Sequence, residues 1–108
     1  RIFHQDSYMF EDKGFINGGF RPMPELESEG TPYYIRLVYT EPDSQGQGVA
    51  KQMISSMIDS HPSDDGYWMM VNEDNKGMQK CASSLGFLKI HELVQEDNHI
   101  TDILYLRG

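Results

Sequence analysis

A glycine-rich segment at residues 45–50 has the clearest potential for chemistry in this chain. It reads Gln-Gly-Gln-Gly-Val-Ala, and apolar residues with helical spacing follow it. The first turn of a helix has unpaired backbone N–H groups and a partial positive charge, so it can bind an anion. Gly46 and Gly48 lack the Cβ atoms that would block such an anion, and they allow unusual backbone angles. The segment therefore predicts a phosphate-binding turn between a strand and a helix.

Two other phosphate-binding signatures are absent. The chain contains neither the Walker pattern GxxxxGK[ST] nor the dinucleotide fingerprint GxGxxG. A Gly-x-Gly before a helix is a weak signal by itself, because a simple turn explains it more economically.

The elements that must position this turn follow from the hydrophobic pattern. Strand patterns cover residues 7–11, 15–20, 33–40, 66–71, 88–94 and 101–106. The first two strands form a hairpin around residues 12–14, and Gly18-Gly19 predicts a bulge or a close backbone approach in the second. Helical stripes run from residue 49 to the break at Pro62, and over residues 78–85 with Gly86 as the cap.

The order of these elements predicts the fold class. The central strand–helix–strand predicts a right-handed crossover between parallel strands, and the outer hairpins are expected to be antiparallel. We expect an α/β (α+β) fold with a mixed, mostly antiparallel sheet, and with a helix on each side or packed at one end. The length predicts one domain over residues 1–108.

The combination of motifs resembles one enzyme superfamily. Residues 45–50 resemble the Q/R-x-x-G-x-G/A signature of the GNAT superfamily of N-acetyltransferases, and Pro42 matches its proline after the fourth strand. Asn75 and the Leu-Gly-Phe at residues 85–87 resemble its second coenzyme segment. The resemblance covers roughly residues 7 to 107 and implies a central β-α-β unit that binds acetyl-CoA. The superfamily's first strand and first two helices have no counterpart, so a compact form is expected.

The resemblance also implies where acetyl-CoA binds. The peptide-like pantetheine arm would add to the open edge of the strand that ends at Val38, Tyr39 and Thr40, through main-chain hydrogen bonds. Asn75 would contact the arm from the other side, and it is equally suited to cap the second helix; the two roles are compatible. The pyrophosphate would lie on backbone N–H groups of Gln45, Gly46, Gln47, Gly48, Val49 and Ala50.

The resemblance leaves the catalytic residues unknown. Acetyl transfer to an amine needs a group that takes the amine's proton and a proton for the leaving thiolate. The tyrosine that usually serves the thiolate is replaced by Ala82, and the glutamate that often acts as the base is missing. Weak catalytic candidates are Tyr39, Glu41, Cys81 and Ser83, with Glu11, His91 and His99 as further possibilities.

Each of these candidates also has a structural explanation. Cys81 lies on the apolar stripe of the second helix and is expected to be a buried structural thiol. Tyr39 is expected to be a core residue of its strand. The histidines are expected to be solvated, and no metal-ligand spacing occurs among His and acidic residues, so no metal is expected.

The charge balance bears on the acceptor. Asp and Glu outnumber Lys and Arg by 17 to 9, which gives a net charge of −8. Nucleic acid is not an expected partner, because phosphate neutralisation needs clustered Lys and Arg. The acidity suits a cationic amine-bearing substrate, although solubility alone also explains it. The carboxylates expected near the acceptor are Glu25, Glu27, Glu29, Glu96, Asp97 and Asp102.

Targeting signals are absent from the sequence given. No run approaches the ~20 apolar residues of a membrane span, and no basic-then-apolar leader occurs, so no membrane contact is expected. The single cysteine fits a reducing compartment, and a cytoplasmic protein is expected. The chain begins at Arg1 and not at Met, which leaves open whether the original N-terminus is present.

Two functions are compatible with these observations. The first is an acetyl-CoA-dependent N-acetyltransferase that acts on a small amine or a protein lysine by direct attack in a ternary complex. The alternative is a catalytically weak acyl-CoA-binding interaction or regulatory module. The phosphate-binding turn and the acidic composition favour the enzyme, whereas Ala82 and the missing helices favour the module. A homodimer would supply the acceptor walls that the missing helices form in the superfamily.

Overall fold

The computed structural model describes residues 6–23 and 30–108. The element order agrees with the one predicted from the sequence, with a short 3₁₀ turn at Pro42–Ser44 before the first helix. The helices are α1 (Val49–Ser60) and α2 (Lys76–Ser84). The strands are β1 (Asp6–Phe10), β2 (Gly14–Phe20), β3 (Tyr33–Thr40), β4 (Tyr67–Asn72), β5 (Leu88–Val94) and β6 (Thr101–Arg107).

The strands form one six-stranded sheet in the order β1-β2-β3-β4-β6-β5. Among the described strands, β3–β4 is the one parallel pair, so the prediction of a mixed, mostly antiparallel sheet is confirmed. The predicted irregularity at Gly18-Gly19 is also present, as a register shift between Asn17 and Gly18. A Cβ at Gly18 would lie 2.8 Å from the Tyr34 carbonyl oxygen and from the Tyr33 ring, so the close approach requires glycine there.

The two parallel strands pair over a short distance and then separate. Tyr33 pairs with Tyr67 and Tyr34 pairs with Trp68, and no further β3–β4 pair forms in the described part of the chain. From Ile35 onwards the edge of β3 that faces β4 therefore has main-chain groups without a strand partner. We call this gap between β3 and β4 the strand opening.

Both helices pack on the same face of the sheet. Of the two arrangements expected from the sequence, a helix on each side is therefore wrong. The reason is the direction of the two crossovers: β4 lies beyond β3 and β5 lies beyond β4 in the same direction along the sheet, and crossovers of one hand then lie on one face. The core on this face includes Val49, Met53, Ile54, Met57, Ala82, Phe87, Ile35, Met69, Val71 and Ile103.

The other face of the sheet has a smaller apolar cluster. Trp68 stacks on Tyr34 with ring centroids 3.9 Å apart, and its indole N–H donates to the Arg21 carbonyl oxygen at 2.9 Å. Met23 and Leu104 complete the buried part of this cluster. Side chains of β4 thus enter apolar clusters on both faces, as its unbroken apolar sequence predicts.

A polar network anchors β1 at the end of the sheet where α1 terminates. The Tyr33 hydroxyl, fully buried, donates to Asp6 Oδ2 at 3.0 Å. The His61 ring stacks on Tyr33 with centroids 4.7 Å apart, and its Nε2 lies 3.4 Å from Asp6 Oδ2. His61 Nδ1 lies 3.0 Å from the Met57 carbonyl oxygen, which ties the network to the last turn of α1. His61 and Pro62 end this helix where the sequence predicts.

Candidate functional site

A cleft of about 710 Å³ lies where the C-terminal end of β3 meets the two helices. Nine of the ten residues predicted to bind the coenzyme line it, which brings together two segments that are 25 positions apart in the chain. Gln47 does not line it, and its side-chain amide donates instead to the Asp43 carbonyl oxygen at 3.3 Å. The nine are Val38, Tyr39, Thr40, Gln45, Gly46, Gly48, Val49, Ala50 and Asn75.

The glycine-rich turn takes its shape from backbone angles that favour glycine. Gly46 has φ +80° and Gly48 has φ +76°, both in the left-handed region. An added Cβ at either position would meet no atom within 4 Å, so the space in front of both is open. Gly48 is the N-cap of α1 and provides no side-chain cap. The first N–H groups of α1 are therefore available to an anion in the cleft.

The cleft continues into the strand opening. A smaller cavity of about 150 Å³ lies there between β3 and β4. Val38, Asn75 and Met78 line both spaces, which makes the two continuous. The wall on one side is the unpaired edge of β3, and Met69 and Met70 belong to the opposite wall. The site thus joins an anion-binding helix end to an unpaired strand edge.

Asn75 connects the two spaces and caps α2. Its Oδ1 accepts a hydrogen bond from the Met78 backbone N–H at 3.1 Å, which confirms the cap predicted from the sequence. The cap uses only the oxygen, because the Nδ2 group cannot accept. That leaves two amide protons of Asn75 at the entrance to the strand opening.

Two of the four catalytic candidates line the cleft. Tyr39 is 40 % exposed and packs against Phe15 with ring centroids 5.4 Å apart, so the expectation of a core residue is wrong. Cys81 lies half-buried between the core and the cleft. Burial raises the pKa of the Cys81 thiol, with a smaller opposing effect from Lys51. The thiol is therefore protonated at neutral pH and a poor nucleophile.

The other candidates lie elsewhere. Glu41 and Ser83 are exposed and do not line the cleft. Glu11 lies in the β1–β2 turn, 3.5 Å from the Lys13 ammonium. His91 and His99 are exposed, on β5 and in the turn that follows it.

Ala82 lies in the main core with no exposed surface and does not line the cleft. Its methyl group packs between α2 and the sheet, and it offers no proton donor. Among the described residues that line the cleft, we find no carboxylate and no histidine.

Sequence reasoning missed several residues of the cleft. Three of them follow from one helix face, because Gly77, Lys80 and Ser84 lie with the predicted Cys81 at the spacing i, i+3, i+7 and i+4 on α2. That spacing is visible in the sequence, but it overlaps the apolar stripe of α2, which shares Cys81 with it. The missed residues are Ser44, Lys51, Gly77, Met78, Lys80 and Ser84.

The acidic residues predicted near the acceptor are only partly described. Glu25, Glu27 and Glu29 lie outside the described residues. Glu96 and Asp97 are exposed in the turn between β5 and β6, and Asp102 Oδ2 accepts from the Gln95 side chain at 2.9 Å.

The described ranges contain neither a metal-binding group of side chains nor a membrane-spanning helix. Within residues 6–23 and 30–108, no three His, Cys, Asp or Glu side chains group together in a way that holds a metal ion. Over the same ranges, neither helix has the length and apolar run that a membrane span needs.

Comparison with known proteins gives a family match over most of the chain. Residues 11–87 match the model of the acetyltransferase (GNAT) family. No curated protein matches the sequence.

Solved structures resemble the fold at low sequence identity. Arabidopsis thaliana NAA60 in complex with a bisubstrate analogue has a TM-score of 0.74 and 18 % identity, over 88 % of this chain and 63 % of that one. The same protein in complex with acetyl-CoA has a TM-score of 0.72 and 18 % identity, over 87 % and 64 %. An N-acetyltransferase from Staphylococcus aureus Mu50 has a TM-score of 0.72 and 16 % identity, over 96 % of this chain and 69 % of that one. The chain thus spans somewhat less than two thirds of the NAA60 chain, and the likeness shows a shared fold.

Proposed function

The chain belongs to the acetyltransferase (GNAT) family, and from that premise we propose that it transfers the acetyl group of acetyl-CoA to a primary amine. The acceptor is a small amine or a lysine side chain of a protein, and the amine attacks directly in a ternary complex. The single observation that carries this proposal is the continuity of the cleft with the strand opening. NAA60, which shares the fold, has been solved with acetyl-CoA.

The shape of the site suits the chemistry of coenzyme A. The diphosphate needs N–H donors and a positive field, which the first turn of α1 provides. The pantetheine arm carries two amide groups, and the unpaired edge of β3 at Val38, Tyr39 and Thr40 offers main-chain partners for them. The Nδ2 group of Asn75 is proposed to donate to the arm from the α2 side, which is supported by Asn75 lining both the cleft and the strand opening. Recognition thus depends mainly on backbone atoms.

The transfer itself forms one bond and breaks another. The neutral amine nitrogen attacks the thioester carbonyl carbon, the C–S bond breaks, and the amine loses a proton while the departing thiolate gains one. No cleft-lining carboxylate or histidine in the described residues takes that proton, and Tyr39 is the exposed hydroxyl on the β3 side. Water can protonate the thiolate, but the transfer is then slower than with a protein side chain as the proton donor.

One observation favours the alternative function. The position expected to hold a proton donor is the buried methyl group of Ala82, and burial keeps the Cys81 thiol protonated. A protein of this kind that binds acyl-CoA and transfers slowly would act as an interaction or regulatory module. Retained affinity for acetyl-CoA without consumption, across a panel of amines and lysine peptides, identifies this alternative.

The acceptor, assembly and compartment complete the proposal. We propose a cationic acceptor, supported by the exposed Glu96 and Asp97 and by Asp102 on β6. We also propose a single domain over residues 1–108 that forms a homodimer in the cytoplasm. The free thiol of Cys81 supports the cytoplasmic compartment. The homodimer is supported by four exposed apolar side chains: Met9, Phe15, Leu37 and Tyr39. Light scattering of the purified protein tests the assembly.

The test of the coenzyme site uses added bulk and charge at Gly48. Gly48→Glu is expected to abolish acetyl-CoA binding, because a carboxylate would enter the space in which the phosphates lie. Gln52→Glu adds the same charge one turn further along α1, outside the cleft, and serves as the control. Calorimetry with acetyl-CoA decides between them, after circular dichroism has shown that both variants fold. Equal affinity of Gly48→Glu and wild type contradicts the proposed site.

A further inference from the structure

The cleft concentrates cationic side chains in an acidic protein. The chain has 17 acidic and nine basic residues, yet two lysines and no carboxylate line this cleft. Lys51 projects from the first turn of α1, and Lys80 lies on the facing side of α2. The overall composition would predict more acidic than basic residues in the cleft. The positive charge found there instead indicates an anionic ligand.

In the part of the chain that the structure describes, these two lysines also form no ion pairs. Of the five lysines, Lys13 pairs with Glu11 and Lys89 pairs with Glu92. Within residues 6–23 and 30–108, no carboxylate lies within 4 Å of the ammonium group of Lys51 or Lys80. Their charges are therefore available to a ligand.

Lys51 and Lys80 act on the same space. The charge of Lys51 lowers the pKa of the Cys81 thiol, although burial has the larger, opposite effect. Cys81 is the residue next to Lys80, so the ammonium of Lys51 reaches towards α2. Two like charges that approach across a cleft repel each other, and an anion between them removes that repulsion.

The position of the two lysines selects one part of the coenzyme. In the proposed binding mode, the pantetheine arm would enter the strand opening past Asn75, and the diphosphate would lie at the first turn of α1. Lys80 is five residues beyond Asn75, or about 7.5 Å along the helix axis, and Ser84 is about 13.5 Å along it. The nucleotide end of the coenzyme must therefore extend along this outer wall.

That end of coenzyme A carries a phosphate monoester on the ribose. A phosphate monoester has about −1.5 to −2 charges at pH 7, more than any other group of the coenzyme concentrates at one point. We propose that Lys51 and Lys80 bind this 3′-phosphate and make the cleft selective for the phosphorylated coenzyme. The inference rests on the proposed function, since it needs acetyl-CoA in the cleft.

The test compares acetyl-CoA with acetyl-dephospho-CoA, which lacks only the 3′-phosphate. The wild type is expected to bind acetyl-CoA about tenfold more tightly at low salt, and the preference is expected to shrink at high salt. The double variant Lys51→Gln/Lys80→Gln is expected to bind the two compounds equally. Lys76→Gln removes an exposed lysine of α2 that does not line the cleft, and it is expected to keep the wild-type preference.

Calorimetry separates this inference from the proposed function. Equal affinity of the wild type for both compounds, or a preference that persists in the double variant, overturns the role of the lysines and leaves the proposed function standing. Binding of neither compound overturns both. Both lysines are exposed, so the variants are expected to fold, and thermal unfolding verifies this.

Discussion

At the scale of single residues, Tyr33 links the fold to pH. Burial, and then the hydrogen bond and charge of Asp6, raise the pKa of the Tyr33 hydroxyl above its ordinary value of 10.0. In the unfolded chain the hydroxyl ionises near pH 10, whereas in the folded protein it stays protonated at higher pH. The unfolded state therefore binds fewer protons above pH 10, and the free energy of unfolding falls as the pH rises there.

Replacing Tyr33 by Phe is expected to remove this dependence. At pH 7 the variant is expected to be less stable by about 1–3 kcal/mol, because it lacks the hydrogen bond to the Asp6 carboxylate. Above pH 10 its stability is expected to decline less steeply than that of the wild type. Urea unfolding at pH 7 to 11 measures both effects, with Tyr39→Phe as the exposed control. Parallel pH profiles of Tyr33→Phe and wild type would refute the explanation.

The second prediction for a single residue concerns Ala82. A tyrosine there would restore the family's side chain for the thiolate, but Ala82 has no exposed surface and packs in the main core. Overpacking a core typically costs about 1–3 kcal/mol, so Ala82→Tyr is expected to lose stability of that order. The neighbouring exposed Ser83→Tyr is expected to be nearly neutral. Chemical denaturation measures the stability of both variants. If Ala82→Tyr is as stable as wild type and turns over faster, the expectation is wrong, and the core can accommodate a tyrosine that donates a proton.

Local signals explain which site residues were predictable. The turn at Gly46 and Gly48 was predictable because a short stretch of sequence determines its backbone conformation. Both residues have the left-handed backbone angles that glycine favours. Lys80 and Ser84 were missed, because their role depends on which face of α2 meets α1. That choice is made by packing between elements far apart in the chain.

At the scale of elements, the start of α2 combines stability with binding. Asn75→Ala is expected to cost about 1 kcal/mol through loss of the cap to the Met78 N–H. Asn75→Ser keeps a capping oxygen and is expected to keep most of that stability. Both variants lack the Nδ2 donor, so both are expected to bind acetyl-CoA more weakly. Thermal unfolding and calorimetry on the two variants separate the roles; wild-type affinity in Asn75→Ser would show that the amide acts only as a cap.

The elements themselves were predicted with boundaries that differ by one or two residues. Tyr33–Thr40 and Leu88–Val94 agree completely, because strand-forming residues between flanking turn segments define them. The side on which the helices lie was not predictable in the same way, since it depends on which side of β4 the strand β5 occupies. That placement follows from long-range strand pairing, which no local pattern encodes.

At the scale of the whole molecule, the net charge of −8 is expected to select the acceptor. An acidic field concentrates cationic amines and raises their encounter rate, but it also favours the charged amine, which must lose a proton before it attacks. Activity is therefore expected to rise above neutral pH and to fall moderately with salt, since screening acts over about 8–10 Å.

Removing local charge tests this expectation. The double variant Glu96→Gln/Asp97→Asn is expected to lower kcat/KM for cationic amines by about two- to tenfold at low salt. Asp59→Asn, on the exposed side of α1, serves as a control for the loss of charge. Acetyl-CoA consumption across cationic, neutral and anionic amines measures the effect. A preference for neutral or anionic amines would exclude a cationic acceptor.

The strand opening also has a mechanical consequence. With only two residue pairs between β3 and β4, the sheet consists of two three-stranded halves, β1-β2-β3 and β4-β6-β5, joined along a short seam. The helices and the core beneath the seam contact strands of both halves and so hold the halves together. A peptide-like ligand that forms main-chain hydrogen bonds with the free edge of β3 is expected to extend the seam without moving either half of the sheet. The gap in which we propose the ligand binds is thus the seam with the fewest strand pairs in the described sheet, and filling it is expected to strengthen the sheet there.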